Sequence, residues 1–193
     1  MISFPAKAHI RMLTGITLFI CLAFAGTASH AESPLYYDKT NVTDVEYGLV
    51  CDLRISGTEI APDTDKGEIN VIAGDFAFTT HGNVVPAVLG MSFGIKTRSI
   101  SPDYIEGVLF KSTHPPLKDS GVTEESWFGS IGPEEYSSQL YSFEVPTELV
   151  TGEWTLSAHK DEELIYRIVF NVVSPDKAPV YLKQLCKGLD LFS

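Results

Sequence analysis

The alternation of apolar and polar side chains is strongest near the C-terminal end of the chain. Over residues 152–158, Trp154, Leu156 and Ala158 fall on one face; after a charged turn (Lys160-Asp161-Glu162-Glu163), Leu164, Tyr166, Ile168, Phe170 and Val172 share one face, with Arg167 and Asn171 opposite. A repeat of two residues is that of a strand, whose successive side chains point to opposite faces, and two such runs about a polar turn predict an antiparallel hairpin. Trp154 and Phe170 are its large core candidates. The same period marks Val45, Tyr47 and Leu49, and again Ile69 and Val71. Ile105–Ser112 offers apolar residues to both sides (Ile105 and Leu109; Val108 and Phe110), which predicts a strand covered on both faces. Between these runs, Gly, Pro, Asn and Asp punctuate the chain at short intervals, from Gly57 and Pro62-Asp63 to Gly132-Pro133 and Gly152. Short strands with turn signals every 8–12 residues or so predict an all-β fold, an immunoglobulin-like antiparallel β-sandwich of about seven to nine strands. Ser174-Pro175 ends the last strand, and Asp176 is placed to cap a short C-terminal helix running to Cys186, with Gly188 closing it.

The first 31 residues break this pattern. Lys7 and Arg11 precede an apolar run over residues 12–26, and small residues stand at Ser29 and Ala31. A positive start, an apolar middle and a small-residue site are the parts of a secretory signal, cut here between Ala31 and Glu32. The apolar run is shorter than the roughly 20 residues a spanning helix needs. The expected organisation is a cleaved signal peptide (1–31), a loose N-terminal arm (32–44) and one sandwich domain (45–193), located in the periplasm or secreted, with no membrane attachment after cleavage. Asn41-Val42-Thr43 fits the N-glycosylation sequon, of consequence only in a host that glycosylates.

Charge narrows the partners. All 25 acids lie beyond residue 31, with 12 of the 14 Lys and Arg, so residues 32–193 carry a formal −13. Repulsion from phosphates excludes nucleic acid as a partner and disfavours an anionic membrane surface. Removing Cys21 with the leader leaves Cys51 and Cys186, and an even pair in an exported chain reads as a disulfide. It would close 135 residues, worth about 5 kcal/mol in the chain-entropy model.

Four segments, taken in order, resemble a known family: Glu46-Tyr47-Gly48 leading to Cys51; the run from Val85 to Lys96; Thr113-His114-Pro115-Pro116; and the run from Glu148 to Thr155. Together they are similar to DUF3859, a bacterial domain of unknown function, over most of residues 45–186. Pro86–Lys96 and the Thr-His-Pro-Pro turn carry the most specific part of the likeness. The resemblance implies a small exported β-domain and brings no activity, ligand or catalytic residue.

Candidate chemistry is sparse. Gly90-Met91-Ser92-Phe93-Gly94 matches G-x-S-x-G, with Asp103 or Asp119 and then His159 following in the order a hydrolase would use; the motif needs a strained strand-to-helix turn, whereas residues 87–97 read as a continuous strand. In that strand the glycines would serve close packing or a bulge. His81, His114 and His159 have no metal-ligand spacing, and His114 is expected to shape its turn through backbone bonds. Asp63–Glu68 has a calcium-loop flavour, but with glycine one place early it reads as a solvated turn. Glu124-Glu125 and Glu134-Glu135 flank Trp127-Phe128, an arrangement open to glycoside chemistry, to carbohydrate or basic-peptide binding, or to plain burial of Trp127 in a strand. The expectation is no catalytic residue, no cofactor and no metal, in a non-catalytic envelope module binding an unknown protein or small-molecule ligand. The alternatives are a secreted serine hydrolase using Ser92 and a structural envelope-associated domain. Whether a concave pocket gathers polar side chains from the loops 80–85, 113–121 and 124–136 is the first question a structure answers.

Overall fold

A computed structural model describes residues 33–186. The expected leader with its expected cleavage between Ala31 and Glu32, and the expected helix end at Gly188, lie outside the described residues. Twelve strands run in order: β1 (Leu35–Tyr37), β2 (Val42–Val50), β3 (Ile55–Ile60), β4 (Glu68–Ile72), β5 (Thr80–His81), β6 (Val84–Pro86), β7 (Ser92–Ser99), β8 (Ile105–Thr113), β9 (Glu124–Ile131), β10 (Ser137–Ser142), β11 (Gly152–Lys160) and β12 (Glu163–Val173). One sheet has the order β1-β12-β11-β8-β9, with β6 also pairing β12 in parallel; the other is β10-β7-β2-β5; β3 and β4 form a separate hairpin. The predicted antiparallel sandwich is present. Its surplus over seven to nine strands is the short β1, β5 and β6 and the extra hairpin.

The predicted C-terminal hairpin forms, with Trp154 opposite Phe170, Leu156 opposite Ile168 and Ala158 opposite Tyr166, and all six are buried. Phe93 on β7 joins the sheets, its ring 5.8 Å from Trp154, 5.0 Å from Phe170 and 5.5 Å from Phe143. Aromatic rings of this kind bury roughly 150–250 Å² each and dominate a core's energetics. β8 departs from expectation: Val108, Phe110 and Ser112 are buried but Leu109 is only half-buried, so one face is covered rather than two.

The described part of the expected arm, residues 33–44, is not loose. Leu35–Tyr37 pairs with β12, Leu35 opposite Ile168, and the buried Val42 already opens β2. The period-two signal was too short over three residues to be read. At the other end, Cys186 is bonded to Cys51, as expected, with Cα atoms 5.3 Å apart. The helix α1 spans Val180–Leu185 with Pro179 at its N-cap; Asp176 sits instead in a preceding 3-10 turn, Pro175–Lys177, and does not cap it. Pro179 forces that division, because it disfavours helical geometry at the residue before it. Among the described residues no helix is long and apolar enough to cross a membrane.

Candidate binding cleft

The β3–β4 hairpin belongs to neither main sheet and leans on the sandwich through polar contacts. Its turn is docked rather than solvated. The Ser126 backbone N–H donates to the Asp63 carbonyl at 3.0 Å, capping part of the free edge of β9, and the Asp65 N–H donates to Glu125 Oε1 at 2.9 Å. Gly67, at φ 72°, lets the chain turn back into β4. Lys66 then reaches across to Glu144 Oε2 at 2.6 Å and Glu148 Oε1 at 2.7 Å, and Asn70 Nδ2 donates to Glu144 Oε1 at 2.6 Å.

Beneath the hairpin lies a cleft of about 150 Å³. Leu53, Ile69, Ile72 and Leu140 supply apolar wall, Trp127 and Tyr141 supply aromatic rings, and Glu125, Glu144 and Glu148 supply carboxylates. Glu148 is built in firmly: its side chain is only 4% exposed, and its Oε2 accepts the backbone N–H groups of Glu144 and Val145. This is the reach-back of a glutamate two residues after a proline that opens a 3-10 turn, here Pro146–Glu148. Burial opposes the charge on Lys66, yet its bonds to Glu144 and Glu148 hold the ammonium above the ordinary lysine range. Burial likewise raises Glu144, but the bonds from Lys66 and Asn70 outweigh it and hold the carboxyl below the ordinary range. Burial, followed by the nearby charges of Glu125 and Glu148, pushes the Tyr141 phenol up, so it remains a hydrogen-bond donor.

Behind Glu125 sits His114, its side chain fully buried. The ring stacks on Trp154 at 4.4 Å. Its Nδ1 lies 2.9 Å from the Pro115 carbonyl and its Nε2 3.2 Å from Glu125 Oε2. A carbonyl only accepts, so Nδ1 carries a proton, and the Nε2–Glu125 contact then needs a second proton between ring and carboxyl. The backbone bond expected of His114 is present; its second partner, Glu125, was not foreseen.

The other candidate residues are dispersed. Ser92 is 2% exposed within β7, and its hydroxyl pairs with that of Ser142 at 2.7 Å. There is no strand-to-helix turn at this position, so the G-x-S-x-G match is not a nucleophile elbow. His159 Nε2 meets the Ser157 hydroxyl at 3.1 Å, and Asp103 and Asp119 are exposed in loops. His81 Nδ1 is 3.1 Å from the Tyr47 carbonyl. Glu124 pairs with Lys111 at 3.0 Å, while Glu134 and Glu135 occupy an exposed turn outside the cleft. Trp127 is half-buried and stacked on Phe110, whereas its neighbour Phe128 is 73% exposed. Asn41 of the sequon donates to Asp38 at 2.6 Å. Among the described residues, no group of three or more His, Cys, Asp or Glu is placed to hold a metal. Of the segments 80–85, 113–121 and 124–136, only the last contributes to the cleft, through Glu125 and Trp127; the cleft comes mainly from residues 53–72 and 138–148.

The profile of one family matches residues 38–172, spanning both sheets and the hairpin: a domain of unknown function, DUF3859. The chain belongs to the DUF3859 family. The match opens at residue 38, in the turn between β1 and β2. Among solved structures, the chain is similar to an immunoglobulin-like protein (PA1606) from Pseudomonas aeruginosa, at 18% identity and a TM-score of 0.50, over 74% of this chain and 99% of that one. At that identity the likeness speaks for the immunoglobulin-like fold alone. No curated protein matches the chain. In this DUF3859 domain the Thr-His-Pro-Pro turn positions the buried His114 behind the cleft.

Proposed function

We propose that this DUF3859 protein is a non-catalytic binding module of the cell envelope, exported by its leader, whose ligand enters the cleft between the β3–β4 hairpin and the sandwich. The observation that carries the reading is the cleft itself: a concave site with apolar and aromatic walls and a few fixed polar groups is the form that small-ligand sites take. The buried, serine-paired position of Ser92 speaks against the hydrolase alternative. Fold likeness does not choose a ligand. The Cys51–Cys186 bond and the leader-like residues 1–31 support an oxidising compartment outside the cytoplasm.

The test places a photo-crosslinking amino acid at Ile69, in the cleft, and at Glu162, in the turn between β11 and β12, in the full chain in living bacteria. The expected result is a discrete adduct from position 69, none from 162, recovery in the periplasmic or secreted fraction, and a mature N-terminus at Glu32. A fluorophosphonate probe is expected to leave Ser92 unlabelled. Stoichiometric labelling of Ser92, or adducts from 162 alone, contradicts the reading.

A further inference from the structure

The cleft is sided in charge. Asp65, Glu68, Glu125, Glu144 and Glu148 line it against one cation, Lys66. That cation comes from the opposite wall: Lys66 projects from the turn of a hairpin whose β3 strand is exposed throughout, while both of its acceptors belong to the segment that follows β10. Glu144 and Glu148 therefore form a two-carboxylate seat that the protein's own ammonium occupies, at 2.6 and 2.7 Å. Each carboxylate has a hold besides Lys66: Glu148 accepts two backbone N–H groups, and Glu144 accepts the Asn70 amide. The adjoining 150 Å³ is walled by Leu53, Ile69, Ile72 and Leu140, which suits a methylene chain, and by the Trp127 and Tyr141 rings, whose faces attract a cation. No described residue hydrogen-bonds the Tyr141 hydroxyl.

We infer that the cleft takes an aliphatic primary ammonium, which displaces Lys66 from Glu144 and Glu148 and lays its methylene chain along the apolar wall. Lys66 is the resident stand-in for that ligand. The chemistry is shared by a free diamine and by the lysyl side chain of a peptide. This inference rests on the binding-module reading and adds the ligand class to it. It carries an unusual signature: removing Lys66 deletes a competitor, so affinity rises, whereas a merely structural lysine would leave affinity unchanged or lower it.

The experiment titrates 1,5-diaminopentane into the ¹⁵N-labelled full-length mature protein and follows backbone amides of residues 64–70 and 140–148. Nα-acetyl-lysine methylamide is run in parallel, and 1,5-pentanediol and glutarate serve as neutral and anionic counterparts. The expected result is saturable binding of the diamine, at least tenfold tighter in K66M and at least tenfold weaker in E144Q, with no response to the diol or glutarate. A response to the lysine derivative stronger than to the diamine assigns the site to a peptide lysine, and the reverse to a free amine. K66M also reports through folding: the diamine is expected to raise its Tm more than it raises that of the parent. Equal affinities in parent and K66M overturn the inference. So does a cleft that answers the diol or glutarate but not the amines, an outcome that leaves the binding-module reading standing. Silence of the cleft toward every compound, with position 69 giving no adduct in cells, overturns both.

Discussion

A Cβ placed on Gly94 runs into the backbone carbonyl of Gln139 on β10, and one on Gly48 into the carbonyl of Thr80 on β5. The two glycines face each other across β2 and β7, so the four-stranded sheet is drawn together around side chains that are missing. G94A is accordingly expected to lose about 3 kcal/mol or more, because backbone rather than a flexible side chain must yield; urea denaturation measures it, and a loss under 1 kcal/mol contradicts the close approach. The sequence offered this position twice. As the end of G-x-S-x-G it suggested catalysis, and as a glycine in a strand it suggested packing; packing is the role Gly94 has. Glu148 was less legible. Only its place after Pro146 hinted at a carboxylate folding back on the chain, and nothing local announced that Lys66, 82 positions earlier, would meet it.

Among the elements, the two hairpins contrast. The β11–β12 hairpin was readable because its strands carry three and five alternating apolar residues, nearly all of them buried. Its turn is tight, with Asp161 at φ 49° and Glu162 at φ 69°, a left-handed pair that favours Asn-Gly over Asp-Glu. Replacing Asp161-Glu162 with Asn-Gly is expected to stabilise the domain by about 1 kcal/mol, read as a rise in the urea midpoint; a fall contradicts the turn geometry. The β3–β4 hairpin hides far less: Ile60, at its end, is 89% exposed. Ile69 and Val71 were correctly placed on one half-buried face, but Ile69 looks onto a cleft rather than into the core, a distinction that alternation does not carry. Its attachment is electrostatic. K66M is expected to cost about 1 kcal/mol at neutral pH, a modest figure because Lys66 and Glu144 are both more than a third exposed and solvent screens them. The sign of the pH dependence follows from the shifts. Glu144 is depressed, so its contribution is full above the ordinary glutamate value of 4.5 and is lost as pH falls through the lowered one. Lys66 is raised, so its contribution is full below 10.5 and is lost as pH rises through the higher value. The stability gap between parent and K66M should therefore close at both extremes, and a gap unchanged at pH 2 contradicts the ion pairs as its source.

For the whole domain, the sandwich, its antiparallel order and the disulfide were legible because each rests on a signal the chain repeats or pairs: alternation, turn residues, an even cysteine count. The edges were not. β1, β5 and β6 have two or three residues each and exist because a neighbouring strand offers them partners, which is a tertiary fact. The disulfide closes the domain from β2 to the C-terminal helix over 135 residues. The paired substitution C51S/C186S is expected to lower stability by up to about 5 kcal/mol, read by calorimetry under conditions where the oxidised protein refolds reversibly; an unchanged Tm contradicts the clasp. The cleft emerges only at this scale, since the hairpin turn, β9 and the segment after β10 are far apart in sequence and meet through sheet order. Its central property is that Lys66 fills a seat meant for another ammonium. A crystal structure of residues 32–193 with 1,5-diaminopentane measures that most directly. The account predicts a ligand nitrogen within hydrogen-bond distance of both Glu144 and Glu148, with Lys66 turned away; Lys66 still seated on both carboxylates and the diamine absent from the cleft contradicts it.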